Sequence, residues 1–215
     1  MSRYRASGRE GAVGSVERYA ETISLPRAVR FPVELIPPDG FDEERLETWP
    51  KVAGHLECVN GRLLYMPPSG DVQQDTVSDV VIVLGAWVRT HPEFVLGTNE
   101  AGMRLRGATR AADAAVWRRS DVGAYRGGLR RVPPVLAIEV AGDDEPEAML
   151  REKARWYLDA GIQLVWLVLP EPRQVVVVAA DTDRRCGIDD TLPPHPALPD
   201  LHPAVADFFT QISAS

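Results

Sequence analysis

The alternation of apolar and polar positions changes period several times along the chain, and each change predicts an element. His55–Val59 and Arg62–Met66 are two β-prone runs separated by Asn60-Gly61. That dipeptide suits a type I′ turn, which needs positive φ at both central residues, so a tight hairpin is expected. Pro67-Pro68-Ser69-Gly70 closes it. From Gln74 to Thr90, Val77, Val80, Val81, Leu84 and Val88 form one stripe at helical spacing. Strand-like stretches follow at Gly102–Arg106, Ala112–Trp117 and Val135–Ala141. Pro146–Ala160 reads as a helix ended by Gly161. Two more strands are expected at Leu164–Leu169 and Gln174–Ala180, joined by the turn Pro170–Arg173.

The flanks carry weaker signals. Residues 1 to about 40 mix Arg, Glu, Ser and Gly without a period and read as an extension, with the domain proper spanning 41–215. Asp42–Trp49 predicts a short helix stopped before Pro50. Residues 181–203 read as a Pro- and Asp-rich loop, and Ala204–Ile212 as a final helix packing Phe208 and Phe209. The order of helices and strands implies an α/β fold, with a mixed sheet flanked by helices.

Composition narrows the function. The chain has 215 residues, enough for one core, and a net charge of −7, which disfavours purely electrostatic nucleic-acid binding. The average hides an asymmetry. Met103–Arg131 holds eight arginines against Asp113 and Asp121, a local charge of +6. This is either a solvated face or a phosphate-binding rim. Cys58 and Cys186 are far apart and suggest neither a disulfide framework nor a zinc site. His55, His91, His195 and His202 lack ligand spacing and read as surface or loop residues. No transmembrane-length apolar run and no secretory signal is evident, so a cytoplasmic location is expected.

Three charges sit where charges are costly. Glu139 interrupts Val135–Ala141, a run whose two apolar faces mark a central buried strand. A carboxylate there needs a cation or hydrogen-bond donors. Lys153 has Met149, Leu150, Trp156 and Tyr157 as its helical neighbours, so it lies inside the buried stripe unless its ammonium snorkels outward. Asp113 interrupts Ala112–Trp117. Two carboxylates on adjacent strands plus one lysine suit a hard cation such as Mg²⁺ (or Mn²⁺), which polarises phosphate and acidifies bound water. A buried ion pair of purely structural use is the competing reading.

The ordered motifs resemble a known family. Leu56–Gly61, Met66–Ser69, Ala112-Asp113, Pro133–Val140, Lys153 with Tyr157 and Gly161, and Val165–Val168 together are similar to the Uma-type restriction endonucleases (domain of unknown function 820), of the PD-(D/E)XK superfamily. The resemblance spans roughly residues 42 to 180. It implies a restriction-endonuclease-like fold and Mg²⁺-dependent hydrolysis of DNA. Asp113 and Glu139 would be metal ligands, Lys153 would supply the charge, and Glu57 would be an added acid near the metal. Double-strand cleavage would suit a homodimer. The chain departs from the pattern at Ala112, where a proline is usual, and at Ala141, where the lysine of E-x-K would fall. It also has Gly142 in place of a serine, and Asp71–Gln74 where a histidine is common. A catalytically degenerate domain that binds DNA or protein is the alternative these departures raise.

Overall fold

The computed structural model describes residues 31–124, 127–143 and 145–213. Its centre is a nine-stranded sheet in the order β1-β3-β2-β5-β6-β7-β8-β9, with β4 pairing β5 off this path. The strands are β1 (Val33–Leu35), β2 (His55–Val59), β3 (Arg62–Met66), β4 (Phe94–Leu105), β5 (Ala108–Arg118), β6 (Leu136–Val140), β7 (Leu164–Leu169), β8 (Gln174–Ala179) and β9 (Thr182–Cys186). All named pairs are antiparallel except β6–β7. That parallel pair needs a crossover, which the helix α3 (Glu147–Asp159) supplies.

The long helix α1 (Asp71–Thr90) covers one face. Its Val80, Leu84 and Trp87 pack with Leu136, Ile138 and Val140 of β6 and with Phe208 and Phe209. Leu150, Ala154 and Tyr157 of α3 cover the other face, against Ala115, Trp117, Ala137 and Leu167. Every residue of β6 and β7 is buried, as expected for strands covered on both sides. The remaining helices are short: α2 (Arg119–Val122) and α4 (Thr210–Ser213), the latter following a 3-10 turn at Val205–Phe209.

The hairpin forms as its sequence predicts, with φ of 53° at Asn60 and 74° at Gly61. Two expectations are corrected. Asp42–Trp49 contains only a 3-10 turn at Leu46–Thr48. Asp42 Oδ1 accepts from the Glu44 amide at 2.9 Å, and Trp49 is extended before Pro50, so a longer helix has no room to grow. The 181–203 loop contains β9, a polar edge strand paired with β8. Its sequence Thr-Asp-Arg-Arg-Cys has no apolar alternation to reveal it. The sheet also reaches back to Val33–Leu35, which pairs with β3.

Candidate active site

Strand pairing brings the first two acids together. β5 and β6 pair through Ala114↔Ile138, and one further step in this antiparallel register sets Asp113 opposite Glu139. The amide of Val140 donates to Asp113 Oδ2 at 2.7 Å. The crossover then drops α3 over both. Lys153 lies within its packed face at 8% exposure, beside Leu150, Ala154 and Tyr157. Its ammonium donates to Glu139 Oε2 at 2.9 Å and to Glu145 Oε1 at 3.3 Å. The Tyr157 hydroxyl donates to Glu139 Oε1. Lys153 and Tyr157 are one helical turn apart, so the two oxygens of Glu139 are held by successive turns of one helix.

Asp113, Glu139 and Lys153 line one cavity of about 260 Å³, together with His55, Asp143 and Glu145. Acids outnumber the single lysine there. Burial, helped by the charge of Glu139, pushes the Asp113 carboxyl up to about 7, against the Val140 amide and the Lys153 charge. Burial also lifts Glu139, opposed by the Lys153 ammonium. Lys153 moves the other way from an ordinary buried lysine. Burial works against its charge, but Glu139, Glu57 and Glu145 outweigh that and hold it protonated. An excess of carboxylates around one cavity is the environment in which a hard cation gains most. Among the described residues no three His, Cys, Asp or Glu side chains form a closed cage. An ion held by Asp113 and Glu139 would complete its shell with water and phosphate oxygens, as Mg²⁺ commonly does. The residues present therefore fit the group.

Glu57 is placed differently. It is 1% exposed and lines a separate cavity of about 230 Å³ that shares Lys153 and Met66 with the first. Arg110 Nη1 donates to its Oε2 at 2.7 Å, and the Ala111 amide to its Oε1 at 3.3 Å. Its charge still acts on Lys153. The arginine-rich stretch is also largely committed. Arg104 is buried against Glu43 and Glu44, and Arg131 pairs with Glu44 at 2.6 Å. Arg118 and Arg119 donate to backbone carbonyls of Ala197, Pro92 and Phe94. Arg126 lies outside the described residues.

Three residues at the site are not among those the sequence singled out for it. Glu145 sits in the loop before α3, where no periodicity marks it. His55 opens β2 and, contrary to its reading as a surface or loop residue, is half-buried at the cavity. Gln73 Nε2 donates to Val140 O at 2.8 Å. Its carboxamide oxygen stands 3.1 Å from where a β-carbon on Gly142 would lie. Two departures from the family pattern are thus neighbours: Gln73 occupies space that a side chain at 142 would contest.

Comparison with known proteins agrees with this architecture. A family model described as "Uma2: Putative restriction endonuclease" matches residues 43–206. Among solved structures, the chain is similar to a "putative nuclease belonging to DUF820" from Anabaena variabilis ATCC 29413, with a TM-score of 0.67 and 19% identity over 78% of this chain and 96% of that one. No curated protein matches. Among the described residues no helix is long and apolar enough to cross a membrane. With the fold and more than half the sequence in agreement, the chain belongs to the Uma2 family of restriction-endonuclease-like proteins.

Proposed function

We propose that the protein is a divalent-metal-dependent endonuclease that hydrolyses DNA phosphodiester bonds in the Asp113–Glu139–Lys153 cavity. The observation that carries this reading is a lysine held by Glu139 at 2.9 Å beneath two facing carboxylates, one of them with its pKa pushed up to about 7. The acids outnumber the one lysine in that cavity, so a phosphate would be poorly received there unless a cation joins it. When bound, that cation supplies Lewis acidity toward the phosphate and cancels the carboxylate charge. Asp113 and Glu139 would hold it. Lys153, kept charged by its acidic neighbours, would steady the negative charge that develops on the phosphate oxygens as water attacks. Tyr157 and Lys153 hold the two oxygens of Glu139, and the Val140 amide holds one oxygen of Asp113, so both acids are fixed in orientation before any ligand arrives. Double-strand cleavage would follow from two chains acting as a two-fold pair.

The test is nicking of supercoiled plasmid by the full chain with Mg²⁺ or Mn²⁺. Cleavage should vanish with chelator and fall by at least about 10³-fold in Asp113→Asn and in Glu139→Gln, variants that keep the side-chain volume. Undiminished cleavage in both variants would place the activity elsewhere. A second reading, DNA or protein binding without catalysis, is favoured by the departures from the family pattern at Ala141 and at Asp71–Gln74, where the lysine and the histidine are missing. It predicts binding that is indifferent to divalent metal.

A further inference from the structure

The cavity has a histidine on its wall, and the fold goes to some length to orient it. His55 Nδ1 lies 3.1 Å from Glu100 Oε1. Glu100 stands in a bulge of β4, where the register against β5 shifts between Thr98 and Ala101. Asn99 and Glu100 are consecutive non-glycine residues with φ of 56° each, a left-handed conformation that costs about 1 kcal/mol or more per residue. Bulges re-aim side chains, and they are over-represented beside active sites. Here the strained bulge delivers a carboxylate to the imidazole. The imidazole borders two spaces: the cavity of Asp113, Glu139 and Lys153, and a groove of about 390 Å³ that Glu100, Trp49 and Lys51 also line.

We propose that His55, oriented by Glu100, is the proton donor to the leaving oxygen in phosphodiester cleavage. This rests on the phosphodiesterase reading above. In the step, a water oxygen forms a new bond to phosphorus and releases one proton to solvent. The bond from phosphorus to the leaving oxygen breaks, and its electron pair stays on that oxygen. The imidazolium gives its proton to the same oxygen and is reprotonated by solvent, so charge and atoms balance without any redox partner. Lys153 cannot readily take this part, because Glu139 and Glu145 already hold its ammonium. Burial and the Lys153 charge disfavour the imidazolium, but the Glu100 hydrogen bond and charge, with that of Glu57, outweigh them. A histidine whose Nδ1 is bound to a carboxylate has a fixed ring orientation and keeps its other nitrogen for chemistry.

Leaving-group dependence tests this directly. DNA leaves as a poorly stabilised alkoxide, whereas thymidine 5′-(p-nitrophenyl) phosphate can lose p-nitrophenolate, which needs no proton. In the full chain with Mn²⁺, His55→Gln should lose about 10²-fold or more on DNA and less than about threefold on the aryl ester. Glu100→Gln, at a half-exposed position, should give a smaller loss with the same preference, and it serves if His55→Gln folds poorly. Equal losses on both substrates would make His55 structural and overturn the proposal. Undiminished DNA cleavage in both variants would overturn it while leaving the phosphodiesterase reading standing. Failure of the wild type on both substrates would remove that reading, and the role of His55 with it.

Discussion

Lys153 is the residue at which stability and the chemistry proposed for the cavity meet. Its ammonium is buried, and Glu139, its partner at 2.9 Å, is 2% exposed. Removing one member of such a pair strands the other charge in a poorly hydrated site. Lys153→Met should therefore cost about 3–5 kcal/mol in urea denaturation. Adding Glu139→Gln should recover most of it, because the unpaired charge is then gone. A double variant as unstable as the single one would mean the pair is needed for folding itself. The residue-scale signals in the sequence were of unequal strength. Lys153 and Glu139 stand out because each interrupts an otherwise apolar pattern. Asp113 was legible only in combination with them. His55, Glu100 and Glu145 were not legible, because a lone histidine at a strand start and a glutamate in a bulge or loop break no pattern. Only the folded register brings His55 and Glu145 to the cavity and Glu100 to His55.

Each element contributes a position to the site. The Asn60-Gly61 turn sets the β2–β3 register, and with it His55 opposite Met66 and Glu57 opposite Leu64. Gly61 has φ of 74° with open space around it, so a larger residue meets strain but no clash. Gly61→Val should cost about 1–2 kcal/mol through the left-handed backbone alone, while Gly61→Asn costs less. Thermal melts would check this order, and equal stability of the three proteins would contradict a type I′ turn. The central strands and both long helices were readable because their periods are sustained. The strand β9 and the bulge of β4 were not, since an exposed polar edge strand and a one-residue register shift leave little hydrophobic trace. Asp42–Trp49 failed as a helix because the Thr48 hydroxyl folds back on the Asp42 backbone and Pro50 pushes Trp49 into an extended conformation.

At the scale of the whole molecule, a net charge of −7 and an acid-lined cavity must be reconciled with a polyanionic substrate. Several arginines of the cationic stretch serve the fold instead: Arg104 ties the Glu43-Glu44 segment to β4, and Arg110 neutralises Glu57. On the proposed reading, favourable contact with phosphate at the cavity would therefore depend on a divalent cation held by Asp113 and Glu139. The sign of its pH dependence follows from Asp113. With a carboxyl pKa of about 7, the acid is increasingly protonated as pH falls below that value, and an incoming cation must displace the proton. Affinity should weaken by up to about tenfold per pH unit below 7 and level off above it. Calorimetric titration of Mg²⁺ into the full chain at pH 8 and pH 6 measures this most directly. One site is expected, weaker at pH 6, with no binding heat in Asp113→Asn at either pH. Mg²⁺ binding that persists undiminished in Asp113→Asn would contradict it.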